Sequence, residues 1–240
     1  MKLRLLFSII GLLLLTEPVF AQGLSLDLGD NGELAGRSVQ LLLLITVLSI
    51  VPGLAVMVTC FPFIVTVLSI LRQAIGLQQS PPNMLIVSLA LFLTWFVMDP
   101  VLTEAYQKGI APLSAGQLDL PAAFQATMGP FRVFMAARVD PETFTAMQAL
   151  RPDATGAPLE ASLSVLVPSF LLSEIQRAFE IGFLIFLPFL IIDLVVAAVL
   201  MSMGMMMVPP AVVSLPFKLA FFVVADGWAL ISGALVRSYF

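Results

Sequence analysis

Residues 168–240 read PSFLLSEIQRAFEIGFLIFLPFLIIDLVVAAVLMSMGMMMVPPAVVSLPFKLAFFVVADGWALISGALVRSYF, an almost unbroken apolar run. Glu174, Arg177, Glu180, Asp193, Lys218 and Asp226 are set into it, and MSMGMMMVPP interrupts it at 201–210. Even on insertion-based scales a lone charge at the centre of a bilayer costs about 2.5–3.5 kcal/mol. Such side chains survive where they face a partner helix, a partner subunit or a wet cavity. A Met-rich turn between two apolar helices offers soft, adaptable packing rather than chemistry. The stretch predicts a helical hairpin inside a membrane assembly.

Composition widens that reading to the whole chain. It has 240 residues, of which 60% are hydrophobic and 11% charged, and its mean hydropathy is +1.07. Soluble domains carry about 25% charged residues, so an integral membrane protein is expected. There is no histidine, which removes the commonest general base and metal ligand and any Ser/His/Asp triad. The single cysteine, Cys60, lies in an apolar run and reads as a small buried hydrophobe, with no internal disulfide available to it. A net charge of −4 supplies no basic surface for nucleic acid. No Gly-rich phosphate loop is present. We therefore expect no enzyme, no cofactor and no metal site.

Working outward from 168–240, residues 1–21 read as a cleavable signal peptide. Lys2 and Arg4 form its basic start, Leu5 to Leu15 its apolar centre, and Ala21 the small residue before the cut. Residues 22–38 read as a flexible exported tail. A first helical hairpin is predicted over 39–102. Its first helix is kinked or split by Pro52-Gly53 and Pro62, and its second runs from Met84 to about Val101, ending at Asp99-Pro100. Residues 103–167 are the one long polar section, with amphipathic pieces at Pro121–Ala137 and Pro141–Leu150 that predict short helices. The second hairpin, 168–240, carries the Met-rich loop, with its last helix over Ala211 to about Arg237. The fold class is thus an all-α membrane protein: four long hydrophobic helices in two hairpins, and a small helical exported region between the second and third. An exported N-terminus and four spans put 103–167 outside and the 72–83 and 201–210 turns inside, with only Arg72 as a basic inside residue.

Three groups of residues stand out in the second hairpin. Glu174, Arg177 and Glu180 recur at i, i+3, i+6, so Arg177 can reach both carboxylates. They form either a solvated helix start or a subunit-interface ladder, with Phe170, Phe179 and Phe183 packing on a neighbour. Asp193 lies deeper. Lys218 and Asp226 are eight residues apart, about 12 Å along a helix, so they cannot touch within one helix. Each must find a partner across a helix boundary; Asp193 and Lys218 would stand at comparable depth in a hairpin, so intramolecular neutralisation is expected, with a proton relay as the alternative. Met203, Met205, Met206 and Met207 stand in a loop bracketed by Gly204 and Pro209-Pro210. Non-helical backbone at membrane depth is tolerated where it is buried in protein or lines a cavity. Repeated around a ring, such loops would make a deformable apolar constriction.

The residues at 168–183 (PSFLLSEIQRAFEIGF) and 216–228 (PFKLAFFVVADGW) resemble the two signatures of the FliP family of flagellar biosynthetic proteins, and the Met-rich loop between them fits the same family. Ser169 and Ala220 are mild departures, and the likeness extends loosely to Phe61-Pro62-Phe63 and the 78–83 turn. The resemblance implies a core subunit of the flagellar type III protein export gate, passing unfolded flagellar proteins across the bacterial inner membrane. It implies five copies assembled with two smaller gate membrane proteins into a helical cone at the flagellar basal body, projecting toward the periplasm, with 103–167 periplasmic. Carried onto this chain, Met203, Met205, Met206 and Met207 form the gasket of the pore. Glu174, Arg177, Glu180, Lys218 and Asp226, with Asp193, hold helices and subunits together. The alternative, a solute or ion transporter subunit, predicts a polar midplane site and often an internal repeat, and neither is visible in the sequence.

Overall fold

The structure, a computed structural model, describes residues 31–77, 80–151 and 155–240. The signal peptide expected over 1–21, and the exported tail as far as residue 30, lie outside them. The chain divides into two units, 1–49 and 50–240, and every described element is helical.

Helix α1 (Asn31–Met57) starts ahead of the apolar run, so residues 31–38 are helical. From Val39 to Met57 it is long and apolar enough to cross a membrane. Thr46 and Ser49 donate their hydroxyls to the carbonyls of Leu42 and Ile45, 2.7 Å away in each case. Back-bonding of this kind lets a hydroxyl sit on an apolar helix without an outside partner.

Within the second unit the chain leaves α1 at Met57 and restarts as α2 (Phe61–Ile75). The break falls at Val58–Cys60, while Pro52 is accommodated inside α1. Pro62 occupies the first turn of α2, where its missing N–H removes no helical bond. The turn after α2 closes on Gly76, whose φ of 89° is costly for any residue with a Cβ. Phe63, Ile64, Val67, Leu68, Leu71 and Ile75 are all buried, and α2 packs along both the third helix and the long helix that follows Ser162. At 15 residues α2 is shorter than the ~20 a bilayer requires. It forms the centre of the core, not the continuation of a lipid-facing span. Each such side chain contributes about 1.5–3 kcal/mol by burial.

Helix α3 (Asn83–Ala105) does not stop at Asp99-Pro100 as expected. It runs through Pro100, passes through a π-helical turn at Tyr106–Ile110 and ends as α4 (Ala111–Ser114). Neighbouring helices can absorb a proline inside a helix at membrane depth. The π turn carries Gly109 onto the next helix, where an added Cβ would lie 2.7 Å from the Thr127 nitrogen and 2.8 Å from the Ala123 carbonyl. Only a glycine fits there.

Two short helices follow, each opened by Asp then Pro one or two positions on. Asp119 caps α5 (Leu120–Arg138) by accepting from the Ala122 N–H at 3.1 Å. Asp140 caps α6 (Pro141–Ala149) by accepting from the Thr143 N–H at 2.8 Å and its hydroxyl at 2.9 Å. Those two donors hold the Asp140 carboxyl below the usual carboxylate range. The Asp140 N–H in turn donates to Ser173 Oγ at 2.9 Å, tying the α5–α6 corner to the long helix α7 (Leu163–Ser202).

Helix α7 has 40 residues and is about 60 Å long at 1.5 Å per residue. The hydrocarbon core of a bilayer is about 30 Å thick, so even a steeply tilted α7 reaches well beyond it. Gly182 allows its close approach to α2, since a Cβ there would lie 2.4 Å from Ile70 Cδ1. The final helix, expected as one piece from Ala211 to Arg237, is two: α8 (Pro210–Val224) and α9 (Gly227–Arg237), bent by 60°. Asp226 takes a left-handed conformation (φ 48°) at the bend. Gly227 lets the chain turn tightly over Phe222, whose ring a Cβ would meet at 2.1 Å. Among the described residues, three helical stretches are long and apolar enough to cross a membrane, and a fourth is available if α8 and α9 count as one span.

Candidate functional site

Three features of the second unit carry the chemistry of this chain. The first is a polar centre where α2, α7 and α8 meet. Lys218 on α8 is buried, and its Nζ donates to Asp193 Oδ2 on α7 at 2.6 Å and to the Ala74 carbonyl at 3.2 Å. Asp193 Oδ1 accepts from Ser214 Oγ, one turn before Lys218, at 2.5 Å. Ala74 lies in the last turn of α2, where backbone carbonyls lack helical partners and a cation is favoured. One ammonium group thus neutralises a carboxylate and caps a third helix. Asp226 takes no part. It is exposed at the α8–α9 bend, and among the described residues its side chain neither caps α9 nor forms an ion pair.

The second feature surrounds Glu174, which has no exposed surface. Its Oε1 accepts from Arg138 Nε on α5 at 3.1 Å, and Oε2 accepts from the Tyr239 hydroxyl. Arg177 Nη1 stands 3.6 Å from Oε1 with a third of its side chain exposed, a weaker contact. The i, i+3, i+6 ladder is therefore not what holds this carboxylate. Glu180 faces outward and accepts from Gln176 Nε2 at 3.1 Å. Phe170, expected against a neighbouring subunit, is buried in this chain's own core, while Phe179 and Phe183 are exposed. The sequence reading missed Arg138, Tyr239 and Ser214. Helical spacing cannot reveal partners 36 and 65 residues away. The only available signal was that a deeply apolar Glu174 demands a cation of its own.

The third feature is the turn between α7 and α8. Met203, Met205, Met206 and Met207 are all exposed there, Met206 to 83% and Met207 to 96%. The turn closes through Gly204 (φ 74°), with the Met203 N–H on the Val199 carbonyl at 3.1 Å and the Met205 N–H on the Leu200 carbonyl at 2.9 Å. Pro209 and Pro210 start the return helix. Behind the turn an apolar groove of about 560 Å³ runs between α7 and α8, lined by Ile191, Val195, Val199, Met203, Met205 and Phe217. Among the described residues no three His, Cys, Asp or Glu side chains come together as metal ligands.

Long apolar helices, with Lys218–Asp193 and Arg138–Glu174 paired between them and methionines exposed at the α7–α8 turn, define an all-helical membrane protein. Comparison with known proteins narrows the class. The FliP family model matches residues 44–235. The chain is 53% identical over 218 residues to the flagellar biosynthetic protein FliP of Caulobacter vibrioides, covering 90% of this chain and 81% of the relative. It is 44% identical over 243 residues to that of Agrobacterium fabrum, covering 99% of each. With that of Bacillus subtilis it shares 43% over 211 residues, covering 88% of this chain and 96% of the relative. The chain belongs to the FliP family.

Proposed function

We propose that this chain is a pore-forming core subunit of the flagellar protein export gate in the bacterial inner membrane. Five copies, with two smaller gate membrane proteins, surround a path for unfolded flagellar proteins. The observation that carries this reading is the methionine turn. Four flexible apolar side chains stand exposed at the tip of a hairpin whose buried Lys218 is already paired with Asp193 below the turn. A turn that leaves four methionines exposed among the described residues is matched to copies of itself around an axis. Thioethers suit a seal that yields to a passing chain and closes again, because methionine is unbranched and repacks readily. Lys218, Asp193 and Ser214 fix the hairpin to α2 so that the turn of each copy is held in place against the path. The exposed Phe179 and Phe183 supply contact between copies, joined on the same helix by the outward Glu180 and the partly exposed Arg177 and elsewhere by the exposed Asp226, while the buried Glu174 holds helices of one chain together.

The test replaces Met205, Met206 and Met207 together by alanine. Truncation removes apolar volume that rigid neighbours cannot refill. The complex is expected to assemble at normal levels but to conduct ions in planar bilayers, or to sensitise cells to small solutes, several-fold above the native complex. An assembled triple variant that seals as well as the native one removes the gasket role.

A further inference from the structure

Ser238 and Tyr239 follow α9 and return to the core. The Tyr239 ring lies edge-on to Phe63 of α2 at 5.6 Å and stacks on Phe134 of α5 at 6.0 Å. The guanidinium carbon of Arg138 sits 4.0 Å from its centroid, within the range of a cation–π contact. Its hydroxyl donates to Glu174 on α7, and the Ser238 carbonyl accepts from Arg138 Nη1 at 2.9 Å. Two consecutive residues thus touch α2, α5 and α7 at once. They also complete the pairing of a carboxylate that has no exposed surface. Burial and the adjacent Glu174 push the phenol well above its ordinary range, so it stays protonated and remains the donor.

Tyr239 is docked between exposed neighbours: Arg237, Ser238 and Phe240 are exposed, while α9 itself buries Gly227 and Leu235 and packs Trp228, Ile231 and Val236, each partly buried, against the core. A short docked segment flanked by exposed residues opens at a lower free energy than the whole fold.

We propose that Ser238–Tyr239 is a latch that locks α5 onto α7 and α2, and that its release opens the Glu174–Arg138 centre as a local unit while the rest of the fold stays in place. The latch couples the α5–α6 region to the long helix: docked, it fixes their angle, and lifted, it leaves Arg138 and Glu174 to water. This inference concerns a single chain and stands apart from the pore reading.

The molecule contains its own reporter. Cys60, the single cysteine, sits at the start of α2 one turn before Phe63 and has no exposure. Burial pushes its thiol up to about 12, so it resists alkylation while the latch is closed. The experiment measures the N-ethylmaleimide reaction rate of Cys60 in the full chain purified in detergent. Tyr239→Ala is expected to raise the rate about tenfold or more at temperatures where the chain remains folded. Tyr239→Phe, which loses only the hydroxyl, should fall between that and the native rate. Phe144→Ala opens a cavity in the neighbouring α5–α6–α7 cluster, which shares Phe131 and Phe134 with the core around Tyr239, but leaves the contacts of Tyr239 named above in place; it should lower the melting temperature while leaving the Cys60 rate near native. Native-like rates in both Tyr239 variants overturn the proposal. So do rates in all three variants that follow their melting temperatures alone, since Cys60 would then report global unfolding.

Discussion

Arg138→Ala should destabilise the folded chain by about 3–5 kcal/mol, the cost of leaving a buried carboxylate without its cation. Glu174 has no exposed surface, so water cannot replace the guanidinium. Arg138 also bridges to the Ser238 carbonyl and lies over Tyr239, and truncation removes both contacts. Arg177→Ala gives the decisive contrast. Its guanidinium is 3.6 Å from Glu174 and a third exposed, and pairs of that kind contribute about 0–1 kcal/mol. Denaturation in detergent should therefore rank Arg138→Ala far below Arg177→Ala. Adding Glu174→Gln to Arg138→Ala should recover part of the loss, because the amide oxygen still accepts from Tyr239 and no charge remains buried. Equal effects of the two arginine variants would contradict the structure and return Glu174 to the helical ladder.

The second large effect is expected at Lys218. Lys218→Ala leaves Asp193 with Ser214 alone and strips the Ala74 carbonyl of its cap. Asp193 keeps 31% side-chain exposure, which admits some solvent and places the cost at the lower end, about 3 kcal/mol. Subunit levels in the membrane should fall sharply. Lys218→Ala combined with Asp193→Asn should restore part of the loss, whereas combination with Asp226→Asn should restore none, since Asp226 is exposed and lies apart from this centre. A Lys218→Ala chain that accumulates and melts like the native one would make the lysine dispensable. Rescue by Asp226→Asn would redraw the pairing.

Much of this fold was legible in the residues. The apolar runs give the spans, and the Pro121 and Pro141 signals lie within a residue or so of the true starts of α5 and α6, because Asp then Pro is local chemistry. The turn at 201–210 follows from Gly204 and Pro209-Pro210 for the same reason. What the pattern hid was tertiary. Pro100 reads as a stop, yet α3 passes through it without a break. In runs this rich in apolar residues, little separates the buried α2 from a lipid-facing span, and the Asp226-Gly227 pair that marks the bend is easily read as one more charge within a helix. The charged residues were conspicuous, but only chain folding decides which cation meets which carboxylate. Spacing limits Lys218 to a partner across a boundary, and the fold supplies Asp193. Spacing also favours Arg177 for Glu174, and the fold supplies Arg138.

The proposed convergence of the methionine turns on one axis is tested most directly by cross-linking between copies. Met206→Cys, in a chain whose only other thiol is the buried Cys60, is assembled into the complete complex in cells and oxidised in the membrane. Turns that meet around a pore should yield disulfide-linked dimers from Met206→Cys. Phe92→Cys, exposed on α3 away from the turn, should yield none. A fully assembled complex in which Met206→Cys stays monomeric after oxidation would contradict the account.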